Sequence, residues 1–116
     1  MVRKETYIIR ENMGKTGIGQ VYQYEIESKE ALRGHGRLFA KLVMPKGSTI
    51  GWHQHVGESE TYYILSGTGS FKDNDGTVTE VGPGDICSIN VGESHSLDNI
   101  GEDDLVLIAL VYNDQI

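Results

Sequence analysis

Between Gly47 and Gly67 the chain spaces its residues as Gly47, His53, His55, Glu60 and Gly67, and this spacing limits the fold more than any other feature. Two histidines one residue apart point the same way on a strand, because side chains alternate faces with a period of two. A carboxylate five residues past the second histidine can return to that face on a neighbouring strand, across a tight bend. The flanking glycines suit the bends, Gly47 before the histidine strand and Gly67 after the glutamate strand. His95 follows on a later segment. Three imidazoles and a carboxylate make a metal-ligand set, suited to Mn, Fe, Ni, Co, Cu or Zn rather than to Ca or Mg.

The remaining sequence reads as short strands separated by turn chemistry. Arg37–Met44 alternates, with Leu38, Ala40, Leu42 and Met44 on one face. Pro45-Lys46-Gly47 then supplies a turn. Glu60–Ser66 has the aromatic and branched content of a strand. Asp73-Asn74-Asp75-Gly76 between Phe71 and Val78 signals a hairpin. Gly82-Pro83-Gly84 fits a type II turn leading into Ile86–Ile89. Ser94–Ile100 and Leu105–Tyr112 complete the series, and Glu25–Leu32 reads as a loop. The pattern predicts an all-β antiparallel sandwich or closed barrel in one domain spanning 1–116.

Bulk properties restrict the function. The single cysteine, Cys87, allows no intrachain disulfide, which points to a reducing cytoplasm. Residues 1–12 lack the apolar stretch of a signal peptide, and the longest apolar run, Leu105–Tyr112, is too short to span a bilayer. A formal net charge of −7 disfavours nucleic acid and anionic membranes as partners. A small anionic ligand stays compatible with that charge, because a bound divalent cation would set the local field.

The run from Gly47 to Gly67 resembles the first motif of the cupin superfamily, G-x5-H-x-H-x4-E-x6-G, at every fixed position. The second cupin motif, G-x5-P-x-G-x2-H-x3-N, resembles residues 84–99 through Gly84, Gly92, His95 and Asn99, with Asn90 where the family has proline. The resemblance implies a single-domain jelly-roll β-barrel, an antiparallel double-stranded β-helix. It also implies one divalent transition metal held inside by His53, His55, Glu60 and His95, with positions left open for an exogenous ligand. Small cupins of this kind pair as homodimers, and Thr6–Arg10 could pair across such an interface.

The same alternation bears on other residues. Tyr62 shares the parity of Glu60, so its phenol is a candidate catalytic group, positioning substrate or donating a proton, or else it fills the core. Asn99 shares the parity of His95 and reads as a structural hydrogen bonder. Trp52 and Gln54 fall on the face opposite His53, for core packing or an interface. His35 reads as an exposed loop residue and Cys87 as a small buried hydrophobe. Gly14-Lys15-Thr16 fails as a phosphate-binding loop, since Ile9 stands where the first glycine belongs.

The resemblance favours a metal-dependent enzyme, dioxygenase- or decarboxylase-like, acting on a small oxygenated or carboxylate molecule. The alternative is a non-catalytic metal-dependent binding or sensor module. Oxalate-active cupins place Arg or Asn three residues before the first histidine, where this chain has Ile50. That departure argues against oxalate decarboxylation without excluding carboxylate binding.

Overall fold

The computed structural model describes residues 1–114. Ten strands follow one another: β1 Tyr7–Glu11, β2 Gln20–Glu27, β3 Gly36–Met44, β4 Thr49–Gln54, β5 Glu58–Ser66, β6 Gly69–Lys72, β7 Val78–Val81, β8 Ile86–Ile89, β9 Ser94–Asn99 and β10 Leu105–Asn113. They form a six-stranded sheet ordered β1-β2-β3-β10-β5-β8 and a four-stranded sheet ordered β4-β9-β6-β7, with every pairing antiparallel. This is the antiparallel all-β arrangement that the glycine-punctuated strands predict, and the jelly roll that the cupin resemblance implies. No helix occurs among the described residues, and hence none long and apolar enough to cross a membrane.

Alternation decides what each sheet buries. β3 sends Leu38, Ala40, Leu42 and Met44 inward, and β10 sends Leu105, Leu107, Ala109 and Val111 to the same side. Ile50, Phe71 and Leu97 from the four-stranded sheet meet them in one core. Each fully buried Leu or Ile contributes about 1.5–3 kcal/mol relative to exposure. The residues between them on β10, among them Val106, Ile108 and Leu110, face outward and remain partly exposed.

The turns follow the predicted chemistry. β6 and β7 pair as a hairpin around Asp73–Gly76. Asp85 N donates to Gly82 O at 3.0 Å, with Gly84 at φ 87°, the left-handed conformation that a type II turn requires at its third residue. The expectation for Glu25–Leu32 needs correcting, because β2 extends through Glu27 and only the remainder is loop. Cross-strand pairing with β3 prolongs β2, a tertiary effect that local composition does not record.

Two departures from regular pairing position the site. On β4, Ile50 pairs with Leu97 and His53 with His95, so three residue steps on β4 span two on β9. On β3, Leu38 pairs with Val111 and Gly36 with Tyr112, leaving Arg37 without a partner. Such bulges re-aim side chains. Ile50 and His53 have opposite parity yet line one cavity, and so do Arg37 and Leu38.

Candidate metal centre

His53 near the end of β4, His55 just beyond it, Glu60 on β5 and His95 on β9 converge at one end of the barrel. Their ligand atoms all lie within 4.8 Å of one another. The Nε2 atoms of His53 and His55 are 3.0 Å apart, and those of His55 and His95 are 3.2 Å apart. Glu60 Oε1 lies 3.0 Å from Nε2 of His55 and 2.9 Å from Nε2 of His95. Despite these short contacts, Glu60 Oε1 has no hydrogen-bond partner of proper geometry. A buried carboxylate oxygen left unpartnered beside imidazole nitrogens is what a bound cation would satisfy.

Those separations test whether a metal ion fits. Two donors about 2.1 Å from one ion are about 3.0 Å apart when they subtend a right angle and about 3.4 Å apart at the tetrahedral angle. The observed 2.9–3.2 Å separations lie near these values. The residues fit a divalent transition ion, and its identity does not follow from the donor set.

Supporting contacts fix two of the three imidazoles. His53 Nδ1 donates to Gly51 O at 2.6 Å, leaving Nε2 deprotonated as a ligand must be. The bulge at Gly51 and Trp52 makes that carbonyl available. His55 Nδ1 donates to Glu58 Oε1 at 3.0 Å, and Glu58 is held in turn by Arg37 through Nη2 at 2.8 Å and Nε at 3.1 Å. His95 Nδ1 has no hydrogen-bond partner; its ring stacks on Tyr62 at 5.2 Å and meets the edge of Phe71 at 5.7 Å.

The local electrostatics follow from burial set against partners. Burial alone would raise the Glu60 carboxyl, but the neighbouring His55 and His95 outweigh it and bring the pKa down to about 2. Burial would lower His55, yet Glu60 and Glu58 together raise it above its ordinary 6.5. His53 is lowered, chiefly by burial. Tyr62 is 1% exposed, and burial, reinforced by Glu60, lifts its phenol well above 10, so it stays protonated.

The structure brings all four anticipated ligand residues together and sets Tyr62 against them, in the lining of the same cavity. Asn99 is structural, donating to Met44 O and Asp103 O and accepting from Gly101 N. Core packing for Trp52 needs correcting. Trp52 is 43% exposed in the β4 bulge, with Lys72 Nζ 5.0 Å from its ring centre, and it also lines the cavity. His35 is exposed and Cys87 buried, as anticipated. Sequence reasoning missed Arg37 and Glu58. Glu58, two residues before Glu60, had the parity signal that could have found it; Arg37 had none.

Comparison with known proteins agrees with this geometry. Residues 40–111 match the family model described as the cupin domain. An oxalate-binding protein of Thermotoga maritima is 45% identical over 95 residues, covering 82% of this chain and 78% of that protein. A crystal structure described as a predicted oxalate decarboxylase of Thermotoga maritima superposes with a TM-score of 0.90 at 42% identity, covering 97% of this chain and 98% of the other. The cupin domain of Schizosaccharomyces pombe Cnp3 shares the fold at a TM-score of 0.71 and 17% identity, over 81% of this chain and 61% of that one.

Proposed function

The chain belongs to the cupin domain family, and from that premise we propose that it binds a small carboxylate at a divalent metal held by His53, His55, Glu60 and His95, and acts on it as a decarboxylase- or dioxygenase-like enzyme. The observation that carries this reading is the convergence of four donor residues, three of which, His53, His55 and Glu60, line a cavity open to the exterior. A bound divalent ion supplies Lewis acidity toward a carboxylate or enolate oxygen. Tyr62 lines the same cavity as a protonated phenol, which supports a role for it in donating a hydrogen bond to that ligand. Ile50, Leu38 and Trp52 line the cavity and shield the bound anion from bulk water. Oxalate is the first ligand to test, since similar proteins carry its name.

Metal-dependent binding without turnover is the second reading, favoured by Ile50 standing where oxalate-active cupins place Arg or Asn. Elemental analysis of purified protein, oxalate titration and carbon dioxide release separate the two. Equal oxalate binding with and without metal overturns both. His53→Ala is expected to abolish metal retention, and full occupancy in that variant would sink the ligand assignment.

The same reading includes a homodimer in the cytoplasm. β1 lies at the edge of the six-stranded sheet with Tyr7, Ile8 and Ile9 exposed, available to a second copy. Sedimentation giving only monomer would retire the dimer.

A further inference from the structure

The cavity lined by His53, His55 and Glu60 has a volume of about 740 Å³, within the range that holds drug-sized ligands and generous for oxalate. Met13, Leu38, Ile50, Trp52 and Val56 give it apolar walls. Three cations, Arg10, Lys15 and Arg37, also line it, in a chain whose net charge is −7. Arg37 is neutralised by Glu58. Glu11 also lines the cavity, but its Oε1 accepts from Gln20 Nε2 at 3.2 Å and it makes no ion pair with Arg10 or Lys15. Arg10 Nη1 donates to the neutral amide of Gln23 at 2.8 Å, and among the described residues neither cation forms an ion pair with a carboxylate.

Their placement is built into the fold. Residues 12–19 form a strap linking β1 to β2 and lie against β4. Gly51 N donates to Met13 O at 2.9 Å, Thr49 N to Ile18 O at 2.9 Å, and Ile18 N to Thr49 Oγ1 at 2.8 Å. Between these anchors Lys15 is held at φ 71°, a left-handed conformation rare for a residue with a side chain. The strap thereby carries Lys15 to the cavity lining, and the end of β1 carries Arg10 there.

We propose that the ligand is a dicarboxylate longer than oxalate. One carboxylate addresses the four-donor centre, the carbon chain lies along the apolar walls, and the far carboxylate meets Arg10 and Lys15. The proposal rests on the carboxylate-binding reading above and names the ligand class of that same site. An unpaired, half-buried guanidinium beside apolar walls gives a second carboxylate a charge-assisted partner, whereas a monocarboxylate leaves it unmet.

Protein reconstituted with cobalt(II) is titrated calorimetrically with matched pairs, glutarate against butyrate and adipate against hexanoate. Each dicarboxylate is expected to bind about tenfold more tightly than its monocarboxylate. Arg10→Gln should lower dicarboxylate affinity about five- to tenfold and Lys15→Gln, more solvent-screened, about two- to threefold, with monocarboxylates nearly unchanged in both. The ligand pairs need no variant, and Lys15 lies on the exposed strap, so misfolding cannot mask the outcome. Equal binding of mono- and dicarboxylates, or equal weakening of both by the variants, overturns the dicarboxylate assignment while leaving carboxylate binding intact. Failure of every carboxylate to bind the cobalt protein overturns the carboxylate-binding reading and this proposal with it.

Discussion

Arg37 grips Glu58 with a two-pronged contact, Nη2 to Oε1 at 2.8 Å and Nε to Oε2 at 3.1 Å, and the same Oε1 accepts the Nδ1 proton of His55. The Arg37 hydrogen bonds lower the Glu58 carboxyl, with burial opposing, and the pairing raises the guanidinium in return. Glu58 is therefore a charged acceptor that fixes the His55 tautomer and ring orientation. Glu58→Ala is expected to weaken metal binding about 10- to 100-fold, the usual cost of losing such a partner. Arg37→Ala, which leaves Glu58 in place, should cost less. Competition with a chromogenic chelator measures both, and an Arg37 effect exceeding that of Glu58 would break the proposed order.

Acidity should set metal affinity through His55 first. A ligand imidazole must be neutral, and the raised pKa of His55 means protons compete from above pH 6.5. Affinity should fall about tenfold per pH unit while one proton is displaced, and more steeply at lower pH once His53, which is shifted downward, joins. Chelator competition between pH 8 and pH 5, values spanning about 1.5 units either side of the ordinary histidine pKa, tests this. A flat profile would contradict the ligand set.

Glu60 carries the opposite sign into the stability of the metal-free protein. Its folded pKa of about 2 lies below the ordinary 4.5, so its stabilisation is fully present above 4.5 and is lost as pH falls from there toward about 2. Urea midpoints of metal-free protein should drop across that window, and Glu60→Gln should flatten the decline.

Gly51 is required by close approach. A Cβ there would stand 2.2 Å from Thr16 Oγ1 and 2.6 Å from Gly17 N. The hydroxyl can rotate away, but the backbone nitrogen cannot. Gly51→Ala should lift the strap from β4 and destabilise by about 1–3 kcal/mol, the usual range for overpacking. Because Gly51 O also holds His53, metal affinity should fall in the same variant. An unchanged urea midpoint would show that the strap is not bound as described.

Asn99 offers a contrasting case near the same sheet. Its side chain closes three hydrogen bonds, to Met44 O at 2.8 Å, Asp103 O at 3.0 Å and from Gly101 N at 2.9 Å. Asn99→Ala should cost about 2–4 kcal/mol of stability by leaving buried backbone groups unpaired, with metal affinity unaltered. Loss of metal in a folded Asn99 variant would assign it a place in the centre after all.

What alternation governs was legible in the sequence. His95, Leu97 and Asn99 share a face as their parity requires, as do Glu60, Tyr62 and Ile64, and glycine with proline marked the turn before Ile86. What bulges govern was not. Arg37 stands beside the inward Leu38, so a regular strand would face it outward; an unpaired position in β3 brings it to the cavity. Trp52 reaches the cavity lining through the bulge in β4. The strap escaped because Lys15 and Arg10 reach the site through backbone hydrogen bonds to β4 and pairing with β2, and neither leaves a side-chain pattern.

The extra residue in β4 serves the far side of its ligand. Ile50 faces Leu97 and His53 faces His95, so removing one residue at Gly51 or Trp52 would restore an even ladder and leave His53 still opposite His95. What such a deletion would take away is the Gly51 carbonyl that holds His53 Nδ1 and the seat of Met13 on β4. The length of the β4 segment therefore governs how this ring is oriented and where the strap docks, while its inward facing is secured by the ladder with β9.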